Sequence, residues 1–287
     1  MSKLTRVRYR EAGSLFAAWF QRRWPDKVLR RSGMVDKFLS KFLQHLWKKN
    51  RGLCEANTVV AAIQHFRPRC RGTLKESWRL LHAWRKAEKA NKATPATPLI
   101  GFGISKTLEV GGFERRAAAL AVGYDGMMRG AEMASFRCSD VTFVKGKAIV
   151  KLAFTKTLGY RRADSELAII SHPLALRILR RAMRRCIRDK IPVGESLCGC
   201  SLEALRSHVM RVFKTLNMND LGYSLHSWRR GAATTHFLKH GNLEKTMLHG
   251  RWSNAKVARD YISEATACLA DTRIPKKARI CLRHQLS

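Results

Sequence analysis

Acidic residues are scarce in this sequence. The 287 residues include 21 Asp and Glu against 56 Lys and Arg, so the formal net charge is +35. Residues 1–100 carry 23 basic and 6 acidic side chains, and the remaining residues carry 33 and 15, so the excess is not a detachable basic tail. Such a chain repels itself unless it binds something anionic. Nucleic acid is the first candidate, because neutralised phosphates release counterions, and an anionic membrane surface is the second.

Long apolar runs are also missing. The sequence has no stretch of 18 apolar residues, which excludes a transmembrane helix. Residues 1–10 are basic and no apolar signal core follows them, so we expect a protein of the nucleus or cytoplasm without a membrane partner. Hydrophobic residues make up 45% of the chain, which is enough to build cores and excludes a disordered chain.

Clustered metal ligands and phosphate-binding loops are absent from the sequence as well. The eight cysteines are scattered through a chain that is too long to need a disulfide framework. Only Cys198-Gly199-Cys200 is a tight group, and it lacks a second Cys or His pair at zinc spacing. We therefore expect neither a metal nor a cofactor. We interpret the cysteine pair as a loop turn, with metal binding as the less favoured alternative.

Helical periodicity dominates the first third of the chain. Val35, Phe38, Leu39, Phe42 and Leu46 have the spacing of one apolar helix face, and Lys and Arg fill the other faces. Three further segments show the same pattern, at residues 16–20, 59–66 and 74–84. Residues 1–90 are therefore predicted to form a helical bundle.

The composition changes after this bundle. Residues 91–98 have no large apolar side chain and include two prolines, which predicts an extended linker between domains. Residues 99–287 should form a second domain that is mostly helical, with a buried helix at 117–122 and helices again from Pro173 onward. Between them, three short strands are predicted at 141–144, 149–154 and 167–170, with turns at Lys145-Gly146 and around Gly159. The predicted fold class is thus mainly α with one small antiparallel three-stranded sheet.

Two short patterns place arginines where an anion could bind. Arg129 and Glu132 are three residues apart, so a carboxylate could orient a guanidinium, although a surface ion pair would look the same. Ser224 could cap a helix that carries His226 and Arg229 near its N-terminus, where the helix dipole favours an anion. The alternative there is a capped helix with a half-buried histidine.

A third pattern runs from Gly250 to Tyr261. Asn254 could cap a helix that carries Tyr261, and Trp252 lies nine residues before that tyrosine. Taken alone, a helical tyrosine is usually a packing residue. Lys156, within Phe154-Thr-Lys-Thr-Leu158, adds a cation at the end of the second predicted strand.

In this order along the chain, these positions resemble the tyrosine recombinases, the phage integrase family that includes Cre and the Xer recombinases. The resemblance covers nearly the whole chain, because the helical first domain, with Leu80-x-x-x-Trp84-Arg85-Lys86, is similar to the family's core-binding domain. Two features depart from the family pattern. Arg251 adds a cation before Trp252, and Arg230 leaves open a shift of the motif arginine by one, although the family spacing favours Arg229.

The resemblance implies a site-specific recombinase that cuts and rejoins double-stranded DNA through a 3′-phosphotyrosine. Tyr261 would be the nucleophile, Arg129 and Arg229 would hold the phosphate, and His226 would take a proton. The implied supporting residues are a general acid, a packing residue that can donate its indole N–H, and a carboxylate behind Arg129, namely Lys156, Trp252 and Glu132. An inactive DNA-binding descendant and a type IB topoisomerase are the alternatives.

The C-terminal segment bears on assembly. We expect the helix that carries Tyr261 to continue to about Ala270 and the chain to turn at Pro275. Ile274, Ile280 and Leu282 are apolar residues in an otherwise polar tail. The resemblance implies a homotetramer on paired DNA sites in which this tail passes to a neighbour, and the alternative is that it packs on its own domain.

Overall fold

The structure, a computed structural model, describes residues 3–88, 92–152 and 166–286. It divides into two compact units, Met1–Asn91 and Lys92–Ser287, each with its own hydrophobic core. Among the described residues, no helix is both long and apolar enough to cross a membrane.

The first unit is a helical bundle, as the periodicity predicts. Its α-helices within the described residues are α1 (Lys3–Arg23), α2 (Ser32–Lys48), α3 (Leu53–Phe66) and α4 (Lys75–Ala87). The apolar face of α2 is buried along its length, and Phe42 is only 2% exposed. Pro68 follows the end of α3 and starts a short 3-10 turn, because a proline cannot continue the helix.

One buried carboxylate organises the polar part of this bundle. Asp36 of α2 accepts hydrogen bonds from the backbone N–H groups of Glu76 and Ser77, both at 2.9 Å. It also accepts the hydroxyl of Ser77 at 2.6 Å. Asp36 therefore satisfies the free N–H groups in the first turn of α4 in place of a local cap residue.

The second unit surrounds a buried helix pair with further helices and a small sheet. Its described helices are α5 (Pro98–Val110), α6 (Glu114–Asp125), α7 (Gly130–Ser135), α8 (Pro173–Arg188), α9 (Leu202–Thr215), α10 (Leu225–His240), α11 (Leu243–Gly250), α12 (Ala255–Tyr261), α13 (Glu264–Thr272) and α14 (Lys276–Leu286). The predicted buried helix at 117–122 lies within α6, whose residues 117–124 are all buried. Pro173 is the first residue of α8, as predicted.

The described strands form one antiparallel sheet in the order β1 (Val141–Val144), β2 (Lys147–Leu152) and β3 (Glu166–Ile170). Lys145 and Gly146 make the predicted turn, and both have the positive φ that a tight hairpin turn requires. The mainly α fold class with a three-stranded antiparallel sheet is thus confirmed. The second strand was predicted at 149–154, and β2 instead begins at Lys147, while residues 153, 154 and Gly159 lie outside the described residues.

The segment predicted as a linker enters the second unit before α5 begins. The backbone N–H and hydroxyl of Thr94 donate to the carbonyls of Gly222 and Leu221. Ala96 is fully buried, and its carbonyl accepts the hydroxyl of Tyr124 at 3.0 Å. Residues 94–96 are therefore held in place by hydrogen bonds to this unit.

The C-terminal region corrects one expectation. The helix that carries Tyr261 does not continue to Ala270, because α12 ends at Tyr261 and Ile262 is extended. The hydroxyl of Thr234, on α10, accepts the backbone N–H of Ser263 at 3.1 Å and fixes this break. After α13, the tail packs on its own unit. Leu282 of α14 is fully buried, and it lies so close to Gly103 of α5 that a side chain at that glycine would come within 2.9 Å of it.

Candidate active site

Arg129 and Glu132 lie at the start of α7. Arg129 is the N-cap residue, just outside the helix, and Glu132 accepts its backbone N–H at 2.8 Å and its Nη1 at 2.5 Å. The side chain of Glu132 is 1% exposed and that of Arg129 is 33% exposed. The pair is therefore no surface ion pair: a buried carboxylate orients a guanidinium that still reaches solvent.

Arg251 holds the same carboxylate from the other side. The residue follows the end of α11 in a left-handed conformation, with φ of 58°. Its Nη2 donates to Glu132 at 3.0 Å and its Nη1 donates to the carbonyl of Gly126 at 2.8 Å. The side chain is 8% exposed. Glu132 is thus clamped between two guanidiniums, those of Arg129 and Arg251.

Arg229 lies on α10 with its side chain buried in the unit. Its Nη1 donates to the carbonyl of Met127 at 2.5 Å, and its Nη2 donates to the carbonyl of Gly250 at 2.7 Å. Burial above all, and then the charges of Arg129 and Arg251, lower the pKa of Arg229 to about 10. The group stays charged at neutral pH, so the site carries positive charge that a bound anion would stabilise.

The rings of Trp252 and Tyr261 pack beside this guanidinium, and that of His226 packs on Tyr261. The ring of Tyr261 lies 4.9 Å from that of Trp252 and 5.2 Å from that of His226, measured between centroids. Cζ of Arg229 lies 4.6 Å from the centroid of Trp252 and 5.6 Å from that of Tyr261. Gly250 is required here, because a Cβ would come within 2.0 Å of the indole. The tyrosine therefore packs against charged and titratable groups, which a purely structural tyrosine does not need.

His226 occupies the first turn of α10, which begins after the predicted N-cap Ser224. The imidazole is exposed on one side. Partial desolvation on its other sides, followed by the charges of Arg230 and Arg229, lowers the pKa of His226 below its usual 6.5. The ring is therefore neutral at pH 7 and can accept a proton.

Arg230 has a different role from its neighbour. Its Nη1 donates to the carbonyl of Asp260 at 3.0 Å, one residue before Tyr261. Its side chain thus supports the end of α12, whereas that of Arg229 packs on the rings of Trp252 and Tyr261. Both arginines lie near Tyr261, and Arg229 is the one whose guanidinium packs on the rings of Trp252 and Tyr261.

Lys156 lies outside the described residues. The strand that follows it begins at Glu166, whose carboxylate is 3.7 Å from Nη1 of Arg129 and 3.4 Å from Nε of Arg251. The start of β3 therefore lies at the candidate site. In the ranges that the structure describes, no group of three His, Cys, Asp or Glu side chains could hold a metal ion.

Comparisons by sequence find neither a family model nor a curated protein that matches this chain. Comparison by structure does find matches. The XerH recombinase bound to its difH substrate superposes with a TM-score of 0.57 at 14% identity, over 91% of this chain and 77% of that one. A lambda integrase dimer bound to a COC′ core site gives 0.55 at 14% identity, over 92% and 90%. The Tn1549 transposon integrase with circular intermediate DNA gives 0.54 at 11% identity, over 91% and 99%.

The chain has the fold of the tyrosine recombinases. Since more than nine-tenths of its residues are matched in each comparison, the likeness includes both units. Within this recombinase fold, the contact between Arg251 and Glu132 could not be predicted from the sequence. The spacing of Arg251 showed only an extra cation, and its left-handed backbone and its contact with Glu132 depend on the folded chain.

Proposed function

We propose that the chain is a site-specific DNA recombinase that cleaves and rejoins strands through a 3′-phosphotyrosine on Tyr261. The observation that carries this proposal is the packing of that phenol against His226 and Trp252, with the buried guanidinium of Arg229 beside it. DNA is the proposed substrate because the chain is strongly basic. The XerH, lambda and Tn1549 proteins named above were also solved on DNA.

Arg129 and Arg229 would hold the scissile phosphate. Arg229 uses one N–H of each Nη on a backbone carbonyl, and its Nε has no hydrogen-bond partner among the described residues. Negative charge builds on the non-bridging oxygens as the phosphate is attacked. Guanidiniums fixed before the substrate arrives stabilise that charge without reorganising, and their forked N–H groups suit phosphate oxygens.

Tyr261 would attack the phosphorus while neutral His226 accepts the phenolic proton. A new bond forms between phosphorus and the tyrosine oxygen, and the bond to the 5′-oxygen of the DNA breaks. Because the phosphotyrosine conserves the energy of the broken bond, the reverse attack by a 5′-hydroxyl restores a continuous strand. Trp252 would pack the site and donate its indole N–H to the phosphate.

Lys156 would give the leaving 5′-oxygen its proton. It lies four residues after Leu152, which pairs with Glu166 at the site. A chain of four residues spans at most roughly 14 Å, a length that does not prevent the lysine from reaching the phosphate that Arg129 would bind. Replacing the 5′-oxygen with sulfur removes the need for that proton, and cleavage by Lys156→Ala should recover on such DNA.

The helical unit and the tail would serve binding and assembly. Residues 1–90, with the excess of basic side chains described above, would act as a core-binding domain on the DNA backbone. Four copies would assemble on paired sites. The tail packs on its own unit in the single chain. It would have to leave that position to reach a neighbour, and deleting residues 273–287 tests whether assembly needs the tail. Sedimentation on two-site DNA should then show a tetramer for the full chain and single-site complexes for the truncated one.

Covalent trapping tests the nucleophile. The full chain is mixed with a library of random-sequence duplexes, denatured, and the DNA that remains attached is sequenced. Tyr261→Phe should bind DNA and yield no adduct. Tyr223→Phe is the matched control, because the buried hydroxyl of Tyr223 has no partner in the described structure and its loss should leave trapping unchanged.

The same assay separates the alternatives. Adduct formation by Tyr261→Phe would refute the assignment. DNA binding without any adduct in the wild-type chain would indicate an inactive DNA-binding protein. A wild-type chain that forms adducts and relaxes a supercoiled DNA molecule, but never joins two molecules, would indicate a topoisomerase.

A further inference from the structure

The turn that carries Cys198 and Cys200 has a geometry that a plain loop does not need. The two Sγ atoms are 3.5 Å apart. Gly199 between them has φ of 68°, and its N–H donates to the carbonyl of Ser196 at 3.1 Å. The turn therefore folds the two cysteines back towards each other, on a backbone conformation that favours glycine.

The two sulfur atoms differ in environment. Cys198 is 1% exposed, whereas Cys200 is partly exposed. A hydrogen bond from the Cys198 thiol, and then a hydrogen bond and the charge of Arg116, lower the pKa of Cys200 to about 6. The same hydrogen bond, together with burial, raises the pKa of Cys198. The accessible sulfur is thus a thiolate at neutral pH, and the buried one keeps its proton.

We infer that Cys198 and Cys200 form an oxidisable dithiol, in which Cys200 reacts with a peroxide and Cys198 closes a disulfide. The Cys200 thiolate attacks one peroxide oxygen, the O–O bond breaks, and a sulfenic acid and hydroxide form. The Cys198 sulfur then attacks Cys200, the S–O bond breaks, and the thiol proton leaves with the hydroxide as water. A disulfide is about 2.05 Å long, so the sulfurs must approach by only about 1.5 Å.

A second cysteine pair provides an internal comparison. Cys138 and Cys186 are also neighbours, and Cys186 is 5% exposed. Burial first, and then the proximity of Cys186, raise the pKa of Cys138 to about 11. Cys138 therefore keeps its proton at pH 6, and we expect it to stay inert towards peroxide despite its neighbour.

Peptide masses after limited oxidation test the inference. The reduced full chain is treated with hydrogen peroxide at pH 6, the free thiols are alkylated, and the protein is digested with trypsin. The peptide of residues 191–206 contains Cys198 and Cys200 and no other cysteine. It should escape alkylation and become two hydrogen atoms lighter. The peptides of Cys138, Cys186 and the exposed Cys54 and Cys268 should remain alkylated.

The expected selectivity is roughly tenfold at this pH. A thiol of pKa about 6 is about 150-fold more ionised at pH 6 than one of ordinary pKa near 8.5. Because a less basic thiolate is also a weaker nucleophile, this advantage in rate is reduced by a factor of about 13. Loss of the 191–206 thiols at the same rate as those of Cys54 and Cys268 would overturn the inference.

Two variants separate the roles of the sulfurs. Cys198→Ser should stop at the sulfenic acid, which dimedone traps on Cys200. Cys200→Ser should leave Cys198 reduced at the same peroxide dose. Thermal melting shows whether either variant is folded, and the wild-type masses decide the question if one is not. No dimedone adduct on a folded Cys198→Ser protein would refute the assignment. The inference does not involve Tyr261 and stands apart from the proposed recombinase.

Discussion

The two units bury their polar groups in opposite ways. In the first unit, rings fill the core, with Trp19 and Phe42 at 5.0 Å and Phe20 and Phe38 at 5.0 Å between centroids. Its buried carboxylate, that of Asp36, receives three hydrogen bonds. The buried carboxylate of this core is therefore satisfied by hydrogen bonds within the unit.

The second unit buries charge around the candidate site. Arg229 and Arg251 are buried or nearly so, and Glu132 is the buried carboxylate that faces Arg129 and Arg251. Buried charges are costly unless they are paired, and here three guanidiniums, those of Arg129, Arg229 and Arg251, face two carboxylates, those of Glu132 and Glu166. The first unit thus pairs its buried carboxylate internally, whereas the site in the second unit holds excess positive charge that the proposed DNA phosphate would neutralise.

The largest expected effect is on the aromatic core. Phe42→Ala should lower the free energy of unfolding of the first unit by about 4 kcal/mol, because it leaves a cavity among packed rings. Urea unfolding followed by hydrogen exchange on residues 3–88 measures this change. Phe66→Ala is the control, since Phe66 is 50% exposed and should cost far less. Equal costs for the two variants would contradict this picture of the core.

Arg229→Lys should break the site without breaking the fold. The lysine keeps a charge but loses the fork that reaches two carbonyls and would contact the proposed phosphate. Single-turnover cleavage should fall about a hundredfold or more, equivalent to about 3 kcal/mol, with little change in DNA binding. Arg230→Lys should be milder. Near wild-type cleavage by Arg229→Lys would move the phosphate-binding role to Arg230.

The clamp on Glu132 should show as an energetic coupling. Arg251→Met leaves a buried carboxylate with one guanidinium fewer, so unfolding free energy and cleavage should both fall. Adding Glu132→Gln removes the buried carboxylate that has lost one of its two partners. The double variant should recover part of the stability, with a coupling free energy of about 1–2 kcal/mol between the two positions. Urea unfolding of the wild type, both single variants and the double variant measures it. Additive losses would show that the two side chains act independently.

The smallest effect is expected in the pH dependence of cleavage. Protonated His226 cannot accept the phenolic proton, so the rate should fall as the pH drops through its lowered pKa, below 6.5. Arg230→Gln removes one charge that lowers this pKa, so the acid limb should move to higher pH. Arg259→Gln removes a charge from an exposed position on α12 and should leave the limb in place. An acid limb that stays fixed in Arg230→Gln would exclude His226 as the titrating group.

The sequence predicted the fold because local rules decided it. Apolar spacing placed the helices, Pro173 started α8, and Lys145-Gly146 formed the hairpin turn. The break after Tyr261 was missed. It depends on a hydrogen bond between Ser263 and Thr234, residues far apart in sequence, and no local pattern shows it.

The candidate site could be predicted only in its residue types. Spacing brought Arg129 and Glu132 together, but it could not distinguish a surface pair from a buried clamp. That distinction rests on Arg251, which approaches Glu132 from more than a hundred positions away. The family spacing favoured Arg229 over Arg230, but only the fold shows that the guanidinium of Arg229 packs on Trp252 and Tyr261.

The backbone at Arg251 has a consequence for comparing sequences. A non-glycine residue with φ of 58° costs roughly 1–2 kcal/mol that a glycine would avoid. The hydrogen bonds that the guanidinium donates to Glu132 and to the carbonyl of Gly126 act against this cost, and a glycine could not make them. The residue type directly before the tryptophan therefore indicates how the carboxylate at this site is held. Among chains of this fold, arginine there predicts a clamped carboxylate, and glycine predicts a site that orients its first arginine by other means.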